Sequence, residues 1–238
     1  MTGRIASESL PAQAQSLSAL RDDYRARKAV LLTTMLGQGA STRGIRTLLQ
    51  RLAREADSTL KTLWNAAELP ATFALLGVGG FGRGELFPHS DVDVVVLVPD
   101  EISLEAHPEL KRKIETFIGN CWDSGLEIGS SVRNIGECVA LASTDITIQT
   151  SLVESRLVTG SAKTCTDFQK RFRASIDPKA FFVAKTLEMR QRHTKFENTP
   201  YSLEPNCKES PGGLRDLQVI LWVAKAAGQG KSWDDLAR

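Results

Sequence analysis

The length, composition and charge of the sequence are those of an ordinary globular protein. Its 238 residues suit one large domain or two small ones. A content of 42% hydrophobic and 24% charged residues excludes wholesale disorder. Thirty basic and 28 acidic residues leave a net charge of +2, which argues against a protein held mainly by nucleic-acid phosphates. It does not exclude a local basic groove, but we expect no nucleic-acid partner.

The cysteines and the lengths of the apolar segments indicate the cellular location of the protein. Cys121, Cys138, Cys165 and Cys207 are scattered, and their spacing fits neither a zinc site nor a disulfide framework, so we expect reduced thiols. The first residues lack the charged-then-apolar pattern of a signal peptide. The longest apolar runs, such as 92–99, are too short to cross a bilayer. We therefore expect a cytoplasmic protein with no membrane partner.

Two helices are predicted in the first 70 residues. The first runs from about Leu17 to about Leu36 and ends at the glycine-containing segment 37–39. The second follows a plausible cap at Ser41 and stops before Pro70. Its apolar residues recur every three or four positions and form one helical face: Ile45, Leu48, Leu49, Leu52, Ala56, Leu60, Leu63 and Trp64.

After Pro70 the hydrophobic period changes. Short runs rich in branched residues predict three strands, at 73–78, 92–98 and 126–132. An amphipathic helix is predicted at 108–122, and beyond Asp145 helical patterning is predicted for the rest of the chain, notably at 180–196 and 214–227. We expect an α+β (α/β) fold with a small mixed sheet flanked by N- and C-terminal helices. The predicted regions are a helical region at 1–68, a core at 69–160 and a helical extension at 161–238.

One stretch, residues 76–96, carries the pattern of a phosphate site. A buried strand leads into a turn in which Gly79 and Gly80 allow the backbone amides to approach a ligand without an intervening side chain. Such amides at the start of a helix suit a polyphosphate, and Arg83 can add charge-assisted contacts. Asp91 and Asp93 lie two residues apart at the next strand, so both carboxylates project from one face and can bind one or two magnesium ions.

Each of these features has a plainer interpretation when it is taken alone. A glycine-rich turn is often only a tight turn, and this one lacks the terminal Gly-Lys-Ser/Thr of the P-loop. Residues 77–82 match the dinucleotide fingerprint only if the acidic pair downstream is ignored. Two aspartates at a strand end are often solvated edge charges. Strand, glycine turn and Asp-Val-Asp in this order are rare, and together they predict a functional site.

The Gly79-Gly80 pair, ten intervening residues and Asp91-Val-Asp93 resemble the signature of the polymerase-β-type nucleotidyltransferases. The fuller string GGFGRGELFPHSDVDVVVL resembles the protein-PII uridylyltransferase family of bacterial nitrogen regulation. Residues 126–133 and 152–156, with Asp145, are similar to the family's continuation. Lys208-Glu-Ser-Pro-Gly-Gly-Leu-Arg-Asp216 resembles its Lys-Glu-Gly-Pro-Gly-Gly-Leu-Arg-Asp motif, from which Ser210 departs.

This resemblance implies a magnesium-dependent transfer of UMP from UTP to a tyrosine hydroxyl of the PII signalling protein, with release of pyrophosphate. It implies a polymerase-β-type core, with Asp91 and Asp93 as catalytic metal ligands. The nucleotide-binding residues that it suggests are Gly79, Gly80, Arg83, Ser90, Lys208 and Arg215. A third catalytic carboxylate is usual in the superfamily. We assign it to Glu127, with Asp145 and Glu154 as rivals.

Several alternatives remain open at this stage. Arg83 and Glu85 can form an ion pair that braces the turn, and the motif at 212–216 can be a helix start in which Asp216 is favoured by the helix dipole. The family's enzymes continue into phosphohydrolase and ligand-sensing domains that this sequence lacks, so we expect a fragment or a truncated form. The rival functions are an adenylyltransferase acting on a protein such as glutamine synthetase, whose motif resembles Gly-Gly-Ile-Arg-Glu, and a non-catalytic module that binds nucleotide or PII.

Overall fold

A computed structural model describes residues 12–38, 41–201, 203–204, 206–230 and 232–237. Four strands are found in these ranges: β1 (Ala74–Gly77), β2 (Val92–Val98), β3 (Ile128–Asn134) and β4 (Arg156–Gly160). The helices in these ranges are α1 (Ala12–Gln38), α2 (Thr42–Ala66), α3 (Gly79–Gly82), α4 (Pro108–Asp123), α5 (Ile135–Thr144), α6 (Ile146–Val153), α7 (Ala162–Ser175), α8 (Pro178–Lys195), α9 (Leu214–Ala226) and α10 (Trp233–Leu236).

The strands form one mixed sheet in the order β3-β2-β1-β4. Strand β1 is antiparallel to both β2 and β4, whereas β2 and β3 run parallel. In this register Gly77 pairs with Val94, and Asp93 pairs with Gly129. The end of β1, the start of β2 and the start of β3 therefore meet at one edge of the sheet. The α+β class and the small mixed sheet predicted from the sequence are confirmed.

Helices cover both faces of the sheet because the residues of β2 alternate between two cores. Val92, Val94, Val96 and Val98 pack with buried residues of α1, α2 and α4. Val95 and Leu97 pack on the other face with residues of α5, α6 and α7. A third, smaller cluster around Phe181, Val219 and Trp222 joins α8 to α9.

Most predicted elements are present with shifted ends, but one is wrong. The helical pattern expected beyond Asp145 fails at Arg156–Gly160, which is β4 and pairs with β1. Its five residues fold as a strand because β1 offers a free edge and because Val158 is buried in the main core. The predicted end of the first helix, at 37–39, lies partly outside the described residues.

The predicted division of the chain into three regions stays a prediction. Tyr24 of α1 and Leu60 of α2 belong to the same buried cluster as Phe73 and Val94, so α1 and α2 share their core with the sheet. Cys121, Cys138 and Cys165 are buried, and Cys207 is exposed. Among the helices of the described ranges, none is long and apolar enough to span a membrane.

We expect Gly82→Ala to destabilise the fold by about 3 kcal/mol, because added volume in a packed interior forces the backbone to move. A Cβ atom at Gly82 would lie 2.1 Å from the carbonyl oxygen of Glu154 and 3.0 Å from that of Gly77. Urea denaturation measures the change. Gly119→Ala is the control, since Gly119 lies within α4 with open space around it and should gain about 0.5–1 kcal/mol. Equal unfolding midpoints for Gly82→Ala and the wild type would contradict this account of the packing.

Candidate active site

The glycine turn brings the backbone of α3 against the first residues of β2. The amide of Val78 donates to the carbonyl oxygen of Asp93 at 3.0 Å, and Gly79 follows with φ +56°, a conformation that favours glycine. A Cβ atom at Gly79 would lie 3.5 Å from Asp93 Oδ2 and 3.6 Å from Ser151 Oγ. The open backbone of Gly79 therefore faces the Asp93 carboxylate, which is the juxtaposition that the sequence pattern predicts.

Asp91 and Asp93 form an acidic pair at the edge of the sheet. Desolvation by the surrounding protein, together with the charge of Asp91, raises the pKa of Asp93, and only the charge of Lys208 counters these effects. Two neighbouring carboxylates are a donor set suited to a divalent cation, which takes oxygen ligands. The residues present at this site fit such an ion.

Room for the Asp93 carboxylate comes from the neighbouring strand. A Cβ atom at Gly129, the partner of Asp93 in β3, would lie only 2.6 Å from Asp93 Oδ1. Any other residue at this position would therefore push the carboxylate aside. A glycine inside a predicted strand is a signal for such a close approach, and it identifies Gly129 as part of the site.

The structure places Glu127 just before β3. Its carbonyl oxygen accepts a hydrogen bond from the amide of Val92 at 2.8 Å. Its side chain is exposed and lines a small pocket with Tyr24, Lys28 and Ser90. The pKa of Tyr24 is raised by burial and by the charges of Glu55 and Glu127, so Glu127 lies towards α1. Within the described ranges, no three His, Cys, Asp or Glu side chains form a group that could hold a metal ion.

Both rivals of Glu127 take part in structural contacts. The Asp145 carboxylate caps α6, where it accepts hydrogen bonds from the amides of Thr147 and Ile148 at 2.7 and 3.2 Å. Glu154 is almost fully buried, with a side-chain exposure of 1%, and both its carboxylate oxygens accept from Lys225 Nζ at 3.0 Å. Neither group is free for a ligand in this arrangement.

Arg83 lies at the end of the glycine turn and is engaged in ion pairs. Its guanidinium is 3.4 Å from the Glu85 carboxylate and 3.8 Å from that of Glu154. This arrangement supports the alternative in which Arg83 and Glu85 brace the turn. Arg83, Glu154 and Lys225 also line a cleft of about 810 Å³, so the same side chains form one wall of an open cavity.

The main chain of the Gly-Gly-Leu-Arg-Asp motif is satisfied internally. The amide of Gly212 donates to Asp216 Oδ2 at 2.8 Å, and that of Gly213 donates to the carbonyl oxygen of Ser210 at 2.9 Å. The amides of Leu214 and Arg215 donate to carbonyl oxygens of the preceding loop, each at 2.9 Å. The motif is therefore a capped helix start in this structure, and its amides are occupied.

The guanidinium of Arg215 is occupied as well. It donates to Glu209 Oε1 and to Gln218 Oε1, both at 3.1 Å, and it lies 5.4 Å from the centre of the Trp222 ring. Ser90, by contrast, sits in the turn before β2 with its amide on the carbonyl oxygen of Phe87. Of the predicted nucleotide-binding side chains, Lys208 is the one whose charge acts on Asp93.

Two residues that hold the site escaped the sequence analysis. Ser151 of α6 lies beside Gly79 and Asp93, and the packing of α6 against α3 brings it there. Arg156 of β4 clamps the glycine turn: its guanidinium makes two bonds of 2.8 and 2.9 Å to Asp57, and its Nε donates to the carbonyl oxygen of Phe81 at 3.2 Å. Arg156 ends the 152–156 stretch that resembles the uridylyltransferase family, and this resemblance was the available signal. Neither residue has a periodic pattern that indicates its contacts.

Comparison with known families agrees with this geometry. Residues 26–126, which include the glycine turn and the aspartate pair, match the family model of the nucleotidyltransferase DUF294. Residues 180–238, which include Lys208 and the Gly-Gly-Leu-Arg-Asp motif, match the model of GlnD PII-uridylyltransferase. The fold, the site and these matches define a protein of the nucleotidyltransferase class.

Individual relatives are similar to most of this chain. The bifunctional uridylyltransferase/uridylyl-removing enzyme of Burkholderia pseudomallei (strain K96243) is 56% identical over 215 residues, which cover 90% of the chain and 24% of that relative. The same values hold for the enzyme of that name from Burkholderia mallei (strain ATCC 23344). The chain is similar to these bifunctional uridylyltransferase/uridylyl-removing enzymes over most of its own length, and it spans about a quarter of the length of these relatives.

We expect Lys225→Met to destabilise the protein by about 3 kcal/mol, because it leaves the buried Glu154 carboxylate with only the more distant Arg83. Thermal unfolding measures the loss. The double variant Lys225→Met/Glu154→Gln removes the uncompensated charge and should recover part of the stability. If the double variant were less stable than Lys225→Met alone, Glu154 would not depend on Lys225 for its charge balance.

Proposed function

We propose that this chain carries the uridylyltransferase site of its relatives and transfers UMP from UTP to a tyrosine hydroxyl of the PII signalling protein, releasing pyrophosphate. The observation that carries the proposal is the placement of the Asp91 and Asp93 pair against the open backbone of Gly79. The family matches support uridylyl transfer and PII in particular. A cytoplasmic location, expected from the cysteines, is part of the same proposal.

The residues of the site have distinct roles in this proposal. The backbone of Gly79 and Gly80 contacts the triphosphate, and Lys208 contributes positive charge to the same phosphates. Asp91 and Asp93 hold magnesium, which when bound neutralises phosphate charge and lowers the pKa of an attacking hydroxyl. In the transfer the tyrosine oxygen forms a bond to the α-phosphorus of UTP and loses its proton to solvent, while the bond between the α-phosphorus and the pyrophosphate breaks and pyrophosphate leaves.

The roles of the third carboxylate and of Arg83 and Arg215 are inferred from the contacts that the candidate side chains already make. Glu154 and Asp145 already hold Lys225 and the first turn of α6, so Glu127 is the candidate to test first. Arg83 and Arg215 serve the site by bracing the turn and the loop, through their contacts with Glu85 and Glu209. The adenylylating alternative is not favoured, because the relatives above are named for uridylyl transfer.

Labelling of PII tests the proposal directly. The purified chain is incubated with PII, magnesium and labelled UTP or labelled ATP in parallel reactions. Label on PII from UTP alone is the expected result. Label from ATP alone would assign the chain to adenylyl transfer, and binding of UTP without any transfer would leave a nucleotide-binding module in place of an enzyme.

We expect Asp91→Asn and Asp93→Asn each to lower the transfer rate at least about 100-fold, because each removes a charge that binds the metal in the transition state. Asp123→Asn, at the exposed end of α4, is the control and should retain full activity. A transfer rate within a few fold of the wild type in either site variant would overturn the metal assignment.

The stability of the Asp93→Asn variant shows whether Asp93 is a metal ligand or a residue that supports the fold. The raised pKa of Asp93 means that its ionised form is disfavoured in the fold, so the wild type loses stability as the pH rises through that pKa. Asp93→Asn should therefore be at least as stable as the wild type at neutral pH with a chelator. This advantage should vanish below the ordinary aspartate pKa of 3.8. A large loss of stability at neutral pH would mean that Asp93 supports the fold.

A further inference from the structure

A cluster of charged side chains joins α8 to the start of α9. The Asp216 carboxylate accepts from His193 Nε2, at 2.9 and 3.0 Å to its two oxygens, and from Arg192 Nη2. It also accepts from the amide of Gly212 at 2.8 Å. The side chains of Arg192, Asp216 and His193 are 10%, 19% and 22% exposed. We call Arg192, His193 and Asp216 the latch.

The latch holds the loop between α8 and α9 through hydrogen bonds to the loop backbone. Arg192 Nε donates to the carbonyl oxygen of Glu209 at 3.1 Å, and Asp216 holds the amide of Gly212. Lys208 lies between these anchors and Asn206, whose side-chain oxygen accepts from the amides of Lys208 and Glu209 at 3.1 and 2.9 Å. The backbone around Lys208 is therefore fixed on both sides.

The backbone of the loop is packed tightly around Gly213 of the Gly-Gly-Leu-Arg-Asp motif. A Cβ atom at Gly213 would lie 2.8, 2.9 and 3.0 Å from the carbonyl oxygens of Ser210, Cys207 and Lys208. The backbone is wrapped closely on itself, yet the side chain of Lys208 is exposed. A rigid main chain that presents one exposed cation is the arrangement expected of a binding residue that is oriented in advance.

Lys208, which is exposed, lies near enough to the acidic pair for its charge to act on Asp93. Its charge lowers the pKa of Asp93, against the larger raising effects of burial and of Asp91. Helix α6, which places Ser151 beside Gly79, packs against both α8 and α9. The loop is therefore linked to the site through Lys208 and through α6.

We propose that Arg192, His193 and Asp216 are positioning residues, which hold the 206–213 loop so that Lys208 contacts the phosphates of the bound nucleotide. This inference rests on the proposed function. Burial raises the pKa of Asp216, but the hydrogen bonds from Gly212, His193 and Arg192 outweigh it and bring the pKa below its usual range. The latch carboxylate is thus ionised at neutral pH, which favours its ion pair with Arg192 and its hydrogen bond with His193.

A double-mutant cycle distinguishes positioning from a purely structural role. The binding constant for UTP with magnesium is measured for the wild type, Asp216→Asn, Lys208→Met and the double variant. We expect Asp216→Asn to weaken UTP binding about 10-fold, as removal of a supporting contact commonly does. Since the latch acts through Lys208, the double variant should bind no more weakly than Lys208→Met alone. Glu197→Gln, an exposed carboxylate just after α8, is the control and should bind UTP normally.

Chemical labelling of Lys208 gives a second readout that does not need PII. UTP with magnesium should protect Lys208 from acylation in the wild type, as measured by mass spectrometry, and should protect it less in Asp216→Asn. If Asp216→Asn does not fold, His193→Gln replaces it, since Arg192 still pairs with Asp216 in that variant. Its loss of protection should be smaller but in the same direction.

The outcomes separate this proposal from the proposed function. If the wild type binds UTP and labels no PII, the transfer proposal fails while the cycle still tests the latch. Full additivity of the two losses, or no protection of Lys208 by bound UTP in the wild type, would overturn the latch. Absence of any UTP binding by the wild type would overturn both.

Discussion

The site depends on the packing of the glycine turn against Glu154. Gly82 approaches the backbone of Glu154 so closely that no side chain fits between them, and the Glu154 carboxylate is buried beneath Arg83 and Lys225. Because Arg83 ends the turn and Lys225 belongs to α9, one buried carboxylate connects α3, the segment before β4 and the C-terminal helices. The cost of burying this charge is offset only while both cations stay in place.

The negative charge of Glu154 and that of the Asp91 and Asp93 pair are compensated to different extents. Glu154 has a lysine at hydrogen-bond distance and an arginine beside it, so its charge is compensated within the fold. Asp93 has Asp91 as its neighbour and only an exposed lysine to counter it. In the function that we propose, a cation bound at Asp91 and Asp93 offsets this negative charge, since uncompensated negative charge attracts a counter-ion.

The sequence predicted the parts of the site that are local in the chain. Strand β1, the glycine turn and the start of β2 lie within 25 residues, and each leaves its own signal in periodicity or in glycine placement. Strand β4 was missed because its five residues depend on a distant partner, β1, for their hydrogen bonds. From the sequence, Glu154 was a candidate for the third carboxylate. Its ion-pair partner, Lys225, lies 71 residues further along the chain, and no local pattern indicates this contact. Ser151 and Arg156 likewise acquire their roles only from tertiary packing.

The conformation of the Gly-Gly-Leu-Arg-Asp motif also depends on tertiary contacts, and these contacts explain why particular residues occupy its positions. Gly213 must lack a side chain because three carbonyl oxygens surround it, and Asp216 must be acidic because it faces Arg192 and His193. With the amides of Gly212 through Arg215 all donating within the protein, contact between this loop and a phosphate has to come from a side chain. Lys208 is exposed and acts on Asp93, whereas Arg215 is held by Glu209. In the function that we propose, the motif therefore supplies the scaffold and Lys208 supplies the charge that contacts the phosphates.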